Sequence, residues 1–106
     1  MAFDKTRFGG VVAPIVNPCG EDDSLDRGAL EANLTRLLAT DVAGLYINGG
    51  TGDAANLTQD ERLTLLRRAK QDACGHCPVI MGVGTNCTAG SVENAELAAQ
   101  NGADAL

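Results

Sequence analysis

The alternation of short apolar runs with amphipathic helical patterns is the feature that most constrains the fold of this chain. Apolar runs at residues 11–16, 44–48 and 79–83 predict three buried strands, and a helical pattern follows each of them. Each strand with its helix takes about 30–35 residues, the size of one βα unit. Aromatic residues make up only 3% of the chain, so the core must be built from Leu, Val, Ile and Ala, as in helices packed on a parallel sheet. The pattern therefore predicts an α/β fold with right-handed crossovers.

Capping signals locate the helices. Asp26 is a good N-cap for the first helix, and Thr58 with Glu61 forms a capping box at the start of the second. The third helix begins near Thr88 and stops at an Asn-Gly pair, after which residues 103–106 begin a fourth strand. The side chains predicted to face inward are Leu30, Leu34, Leu37 and Leu38 in the first helix, Leu63, Leu66, Ala69 and Ala73 in the second, and Val92, Ala95, Ala98 and Ala99 in the third.

The order of the loops favours a TIM barrel, the (β/α)8 fold. Glycine-rich and hydroxyl-bearing loops follow the strands, and the loops after the helices are short, which is the polarity of TIM-barrel enzymes. A complete barrel needs about 250 residues, so we expect a fragment with the first three βα units and the start of strand 4. We predict that residues 1–106 are the amino-terminal portion of a single TIM-barrel domain. Its open inner face, lined by Val12, Ile47 and Ile80 or their neighbours, would favour association, whereas Tyr46 would lie in the core.

The best candidate site is the turn at residues 49–53, Gly-Gly-Thr-Gly-Asp, which follows the second strand. Loops at the carboxyl ends of parallel strands are where α/β proteins bind ligands. Glycines let the backbone approach a small anion, and the hydroxyl of Thr51 supplies one directional hydrogen bond. Residues 50–55 also fit the dinucleotide pattern G-x-G-x-x-A, although the capping box puts the helix start beyond it, at Thr58. A small parallel α/β module that binds a nucleotide or phosphate through residues 49–52 is therefore the alternative.

The four cysteines invite a redox or metal interpretation, which their context does not favour. The string Cys74-Gly75-His76-Cys77 resembles a disulfide isomerase motif, but it follows a helix, where the dipole disfavours a thiolate. The sequence also contains no second pair of zinc ligands at the spacing that a zinc finger requires. We expect Cys19, Cys87 and these two cysteines to be reduced thiols, with no metal and no cofactor.

The charge balance restricts the partners. The net charge is −6 and the pI is about 4.5, which argues against nucleic acid and anionic membrane surfaces as partners. No apolar run approaches the roughly 18 residues that span a bilayer. The first residues contain no apolar signal segment, so a cytoplasmic location is expected.

Taken in order, these pieces resemble the amino-terminal third of the dihydrodipicolinate synthase / N-acetylneuraminate lyase family of Schiff-base TIM barrels. The family motif G-[T/S]-T-G-E is similar to residues 49–53, and the helix entry at residues 57–62 and the third strand with its turn also match. Three positions depart from the family pattern. Gly50 replaces a hydroxyl residue, Asp53 replaces Glu, and Asn17 replaces the usual Thr before Pro18.

The resemblance implies a Schiff-base-forming lyase, an aldolase or dehydratase that acts on pyruvate or another 2-oxo acid, and a homo-oligomer. It implies that Thr51 holds the substrate carboxylate together with the backbone of Gly50 and Gly52. The Schiff-base lysine of the family lies past residue 106, so no catalytic residue is assigned in this chain, and the fragment alone is expected to be inactive. Glycine at position 50 is similar to the sugar-acid dehydratase branch, and the missing hydroxyl argues against synthase activity.

Overall fold

The parallel βα order predicted from the sequence is present in the computed structural model, which describes residues 5–106. Short 3-10 helices at Lys5–Phe8 and Ala54–Asn56 accompany the regular elements. The regular elements are β1 (Val12–Pro14), α1 (Arg27–Leu38), β2 (Gly44–Ile47), α2 (Gln59–Ala73), β3 (Val79–Met81) and α3 (Thr88–Gln100).

The three strands form one parallel sheet in the order β1-β2-β3. A fourth strand begins beside β3, because Ala105 pairs with Ile80 in parallel and the Met81 amide donates to the Ala105 carbonyl at 3.0 Å. The predicted start of strand 4 is therefore confirmed.

Side-chain caps begin the helices where the sequence indicates. The Asp26 carboxylate accepts the Ala29 amide at 3.0 Å. The Thr58 hydroxyl accepts the Glu61 amide at 3.2 Å, and the Glu61 carboxylate accepts the Thr58 amide at 2.8 Å, which completes the capping box. Because each cap satisfies backbone amides that have no partner inside the helix, short polar side chains at these positions fix the helix starts.

The core lies between the sheet and the helices. Leu45 and Ile47 of β2 and Val79 and Met81 of β3 are buried on the helix side. They form one cluster with Leu30 and Leu34 of α1 and with Leu65, Leu66 and Ala69 of α2.

Two predictions about side-chain direction are wrong. Ile47 was expected on the inner face, but it is fully buried on the helix side, and Tyr46 takes the inner face with Ile80 because alternate strand residues point to opposite faces. In α3, Val92 is 52% exposed, and Asn94 is buried. Ala99 is exposed as well. The buried residues of α3 are Asn94, which donates to the Val83 carbonyl at 3.2 Å, and Ala98, which was predicted to face inward.

At the amino-terminal edge of the sheet, Asp104 joins three segments. Its carboxylate, 10% exposed, accepts hydrogen bonds from Arg7, from Lys70 at 2.7 Å and from the Val79 amide at 2.8 Å. Burial alone would raise the pKa of this carboxyl, but the bonds from Lys70 and Val79 and the charges of Lys70 and Arg7 outweigh it. The pKa therefore lies below its ordinary value of 3.8.

We expect Asp104→Asn to lower the free energy of unfolding at neutral pH by about 1–3 kcal/mol, because Lys70 loses its anionic partner. A lowered folded-state pKa means that this stabilisation is complete above the ordinary carboxyl pKa and is lost as the pH falls through the lowered value. Urea unfolding of the unmodified protein and of Asp104→Asn, at pH values from 7 to 3, measures this stabilisation. Asp41→Asn, at an exposed position, is the matched control, and an equal effect of both substitutions at pH 7 would contradict the assignment.

Candidate functional site

At the carboxyl ends of the strands, the loop after β1 meets the turn at residues 49–53, which follows β2. The residue after β3, Gly82, donates its amide to the Ile47 carbonyl at 2.8 Å. Asn17, which follows β1, reaches the turn that follows β2. The site is thus assembled from loops that are distant in the sequence.

The turn at residues 49–53 is held in a compact shape between two left-handed residues. Asn48 has φ +55° and Asp53 has φ +52°, a region that Asn and Asp tolerate better than other side chains. Within the turn, the Asp53 amide donates to the Gly50 carbonyl at 3.0 Å. Asn48, directly before the turn, is 3% exposed. This buried residue anchors the turn, and Gly50 and Thr51 form its exposed tip.

The tip of the turn presents free donors. Gly50 and Thr51 are exposed and Gly52 is buried. The amides of these three residues donate no hydrogen bond within residues 5–106, and the Thr51 hydroxyl has no partner there. A turn with unpaired amides and a hydroxyl has the chemistry of a small-anion site.

Asn17 fastens the turn to β1. Its side-chain amide donates to the Gly52 carbonyl at 2.6 Å. A Cβ on Gly52 would lie 3.0 Å from the Ile15 carbonyl oxygen and 3.1 Å from the Asn17 nitrogen. Glycine at position 52 therefore allows the end of β1 to approach the turn. The bond from Asn17 to this turn was not predicted from the sequence.

Asp53 has a structural contact. Both oxygens of its carboxylate accept the side-chain amide of Asn56 at 2.9 Å, across the short 3-10 helix. Residues Asn17, Gly52 and Asp53 also line a cavity of about 420 Å³, which Gly50 and Thr51 do not line. The regular helix begins at Gln59, beyond the dinucleotide-like pattern, so this turn lacks the helix start that a dinucleotide fingerprint requires.

Arg62 of α2 makes hydrogen bonds to the residues on either side of the turn at residues 49–53. Its guanidinium donates to the Ala54 carbonyl at 2.6 Å, and its own carbonyl accepts the Asn48 side-chain amide at 3.4 Å. Arg62 Nε and Asn48 Oδ1 are buried with no hydrogen-bond partner in the part of the chain that the structure describes. The only sequence signal for this role was the position of Arg62 in the first turns of α2.

Tyr46 lies beneath the turn on the inner face of the sheet. We predicted it in the core, but it is only partly buried and opposes Pro14 and Ile80 in the register. Its ring packs against Gly49, where a Cβ would lie 3.0 Å from the ring atom Cζ. The aromatic side chain thus fills the space that this glycine leaves.

Cys74 and Cys77 lie away from this turn, whereas Cys19 lines the same cavity as Gly52 and Asp53. Cys74 caps the end of α2 with φ +47°, Cys77 precedes β3, and all four thiols are free. Burial raises the pKa of the Cys77 thiol, with the charge of Asp104 adding to it and that of Lys70 opposing it. A raised pKa is the opposite of what an active redox thiol needs.

Neither metal-binding nor membrane-spanning features occur in the described part of the chain. Residues 5–106 contain no group of three or more His, Cys, Asp or Glu side chains that could hold a metal ion. No helix among the same residues is long and apolar enough to cross a bilayer.

Comparison with known sequences gives a consistent result. The model of the dihydrodipicolinate synthetase family matches residues 7–106. A 4-hydroxy-tetrahydrodipicolinate synthase of Salinibacter ruber is 37% identical over 106 residues, which are 100% of this chain and 35% of the relative. One of Exiguobacterium sibiricum is 37% identical over 98 residues, 92% of this chain and 33% of the relative.

Comparison with solved structures agrees. The dihydrodipicolinate synthase of Thermotoga maritima matches with a TM-score of 0.88 and 33% identity over 92% of this chain and 33% of its own. The chloride-inhibited enzyme of Acinetobacter baumannii, solved in complex with pyruvate, matches with a TM-score of 0.88 and 27% identity over 92% of this chain and 34% of its own. The chain spans about a third of the length of the relatives it matches. The α/β architecture is therefore that of part of a TIM barrel, as predicted.

Proposed function

Since the chain belongs to the dihydrodipicolinate synthetase family, we propose that its full-length protein is a Schiff-base-forming lyase acting on pyruvate or another 2-oxo acid. Residues 1–106 would be the amino-terminal portion of its single TIM-barrel domain. The observation that carries the proposal is the exposed turn tip, with its unpaired amides and hydroxyl, at the position of the family motif. The pyruvate complex of the similar Acinetobacter baumannii enzyme supports a 2-oxo acid as ligand.

The proposed chemistry divides between this chain and the rest of the barrel. Thr51 and the amides of Gly50 and Gly52 anchor the substrate carboxylate. A lysine beyond residue 106 forms an imine with the 2-oxo group, and withdrawal of electrons into the imine permits cleavage of a C–C or C–O bond. We assign no catalytic residue to this chain.

Gly50 bears on the choice between aldolase and dehydratase. A Cβ at this position would meet no atom within 4 Å, so packing does not impose the absence of a side chain. The resemblance implies that, in the synthases of the family, a hydroxyl at this position joins a proton relay with tyrosines. Its absence supports a reaction without that relay, such as dehydration of a sugar acid. The proposal extends to a homo-oligomer in the cytoplasm.

Borohydride trapping on the full-length protein tests the proposed function. We expect incubation with pyruvate or a larger 2-oxo acid, followed by reduction, to add the mass of the reduced adduct to one lysine. Reduction without the 2-oxo acid is the control. The absence of an adduct with every 2-oxo acid tried would refute the Schiff-base mechanism.

A substitution of Thr51 tests the carboxylate site. We expect Thr51→Val in the full-length protein to weaken 2-oxo acid binding by about 1.5–3 kcal/mol, the worth of one hydrogen bond to a charged group, with little change in stability. The concentration of pyruvate that gives half-maximal trapping measures the loss. Thr35→Val removes a hydroxyl from an exposed position of α1 and should bind as the unmodified protein does. Unchanged affinity in Thr51→Val would refute the assigned role.

A further inference from the structure

The hydroxyl of Tyr46 is a polar group without a partner, at the mouth of the partial barrel. Within residues 5–106 it makes no hydrogen bond to any protein atom. Its neighbours across the sheet, Pro14 and Ile80, offer no side-chain hydrogen-bonding group. Tyr46 is only partly buried, and its hydroxyl is not enclosed by residues 5–106, so a ligand can reach it.

Two glycines fix where this hydroxyl lies. The ring packs on Gly49, the first residue of the candidate turn. A Cβ on Gly82 would lie 3.0 Å from the Tyr46 oxygen, so the hydroxyl is level with the first residue after β3. The side chain therefore leans from the middle of β2 toward the carboxyl end of the sheet, where ligands bind in barrels.

On these observations we infer that Tyr46 is a further substrate-contacting residue, whose hydroxyl donates a hydrogen bond to the 2-oxo acid held at residues 49–53. The inference rests on the proposed function and adds a donor on the inner face, below the turn. Thr51 and the turn amides bind the ligand from the loop, and Tyr46 binds it from the sheet. No proton transfer is required of Tyr46 in this role.

The test compares Tyr46→Phe with the unmodified full-length protein, because phenylalanine keeps the ring against Gly49 and removes only the hydroxyl. We expect the pyruvate concentration for half-maximal borohydride trapping to rise about 10-fold to 100-fold, the effect of one hydrogen bond to a charged group. We expect the melting temperature without ligand to stay the same. The rise of melting temperature that saturating pyruvate causes in the unmodified protein should become smaller at equal pyruvate.

Each outcome separates this inference from the proposed function. Normal trapping by the unmodified protein with unchanged affinity in Tyr46→Phe would overturn the assignment of Tyr46 and leave the proposed function intact. A lower melting temperature in Tyr46→Phe with unchanged affinity would show that the hydroxyl bonds to another part of the barrel, and would overturn the assignment as well. Failure of the unmodified protein to trap any 2-oxo acid would overturn both.

Discussion

A polypeptide of residues 1–106 alone is expected to turn over no 2-oxo acid substrate above the buffer rate. An imine requires an amine within reach of the substrate carbonyl, and the chain contains two lysines, Lys5 and Lys70. Lys70 is bonded to Asp104 at 2.7 Å at the opposite end of the sheet from the turn. Lys5 lies in the 3-10 helix before β1. Neither can attack a carbonyl whose carboxylate is held by Thr51.

The measurement is aldol cleavage or dehydration by the purified 106-residue chain, with the full-length protein as the positive control. Borohydride trapping of the same chain with pyruvate should leave its mass unchanged at concentrations that saturate the full-length protein. Turnover above buffer, or a stoichiometric adduct on Lys5 or Lys70, would contradict the prediction. Such a result would move the reacting amine into the first third of the barrel.

The second large effect concerns Gly82, the residue after β3, which packs against the backbone of Asn48. A Cβ on Gly82 would collide with the Asn48 carbonyl oxygen and lie 2.9 Å from the carbonyl carbon. Backbone cannot rotate away as a flexible side chain can, and Asn48 already holds a left-handed conformation. We expect Gly82→Ala in the full-length protein to lower the free energy of unfolding by about 3 kcal/mol, the upper end of the usual cost of overpacking.

Gly84→Ala is the matched control for Gly82→Ala. It lies two residues further along the same loop, and a Cβ there would meet no atom within 4 Å. The control should change stability by no more than about 0.5 kcal/mol, as at an ordinary surface position. Denaturant unfolding of both variants gives the comparison. Equal stability of the two would mean that the strands separate at Gly82 without cost.

The sequence determined the elements whose signals are local. A capping box needs only Thr58 and Glu61 at the right spacing, and Asp26 caps α1 through an amide three residues away. These contacts form within one helical turn, so the residues that make them are readable from the chain. The same holds for the glycine turn at residues 49–53, whose place after a buried strand predicted its place at the carboxyl edge of the sheet.

Only the tertiary structure decided which side of β2 faces the helices. Both Tyr46 and Ile47 are apolar enough for a core. In a barrel, helices cover one face of a parallel strand and the barrel interior covers the other, so the strand has no alternation of polar and apolar residues that would show which face is which. Packing against α1 and α2 buries Ile47, and the register with Pro14 and Ile80 leaves Tyr46 on the inner face.

The polar contacts that shape the site also required the fold. Asn17 bonds to Gly52 across 35 positions of sequence, and the buried Asn94 donates its side-chain amide to the Val83 carbonyl. Asn17 meets Gly52 only when β1 and β2 bring their carboxyl ends to one edge of the sheet, and Asn94 meets Val83 only when α3 packs back beside the end of β3. The sequence alone determined the order of elements and the turn that carries Thr51. The packing of distant segments decided which side chains hold that turn, and which hydroxyl lies beneath it.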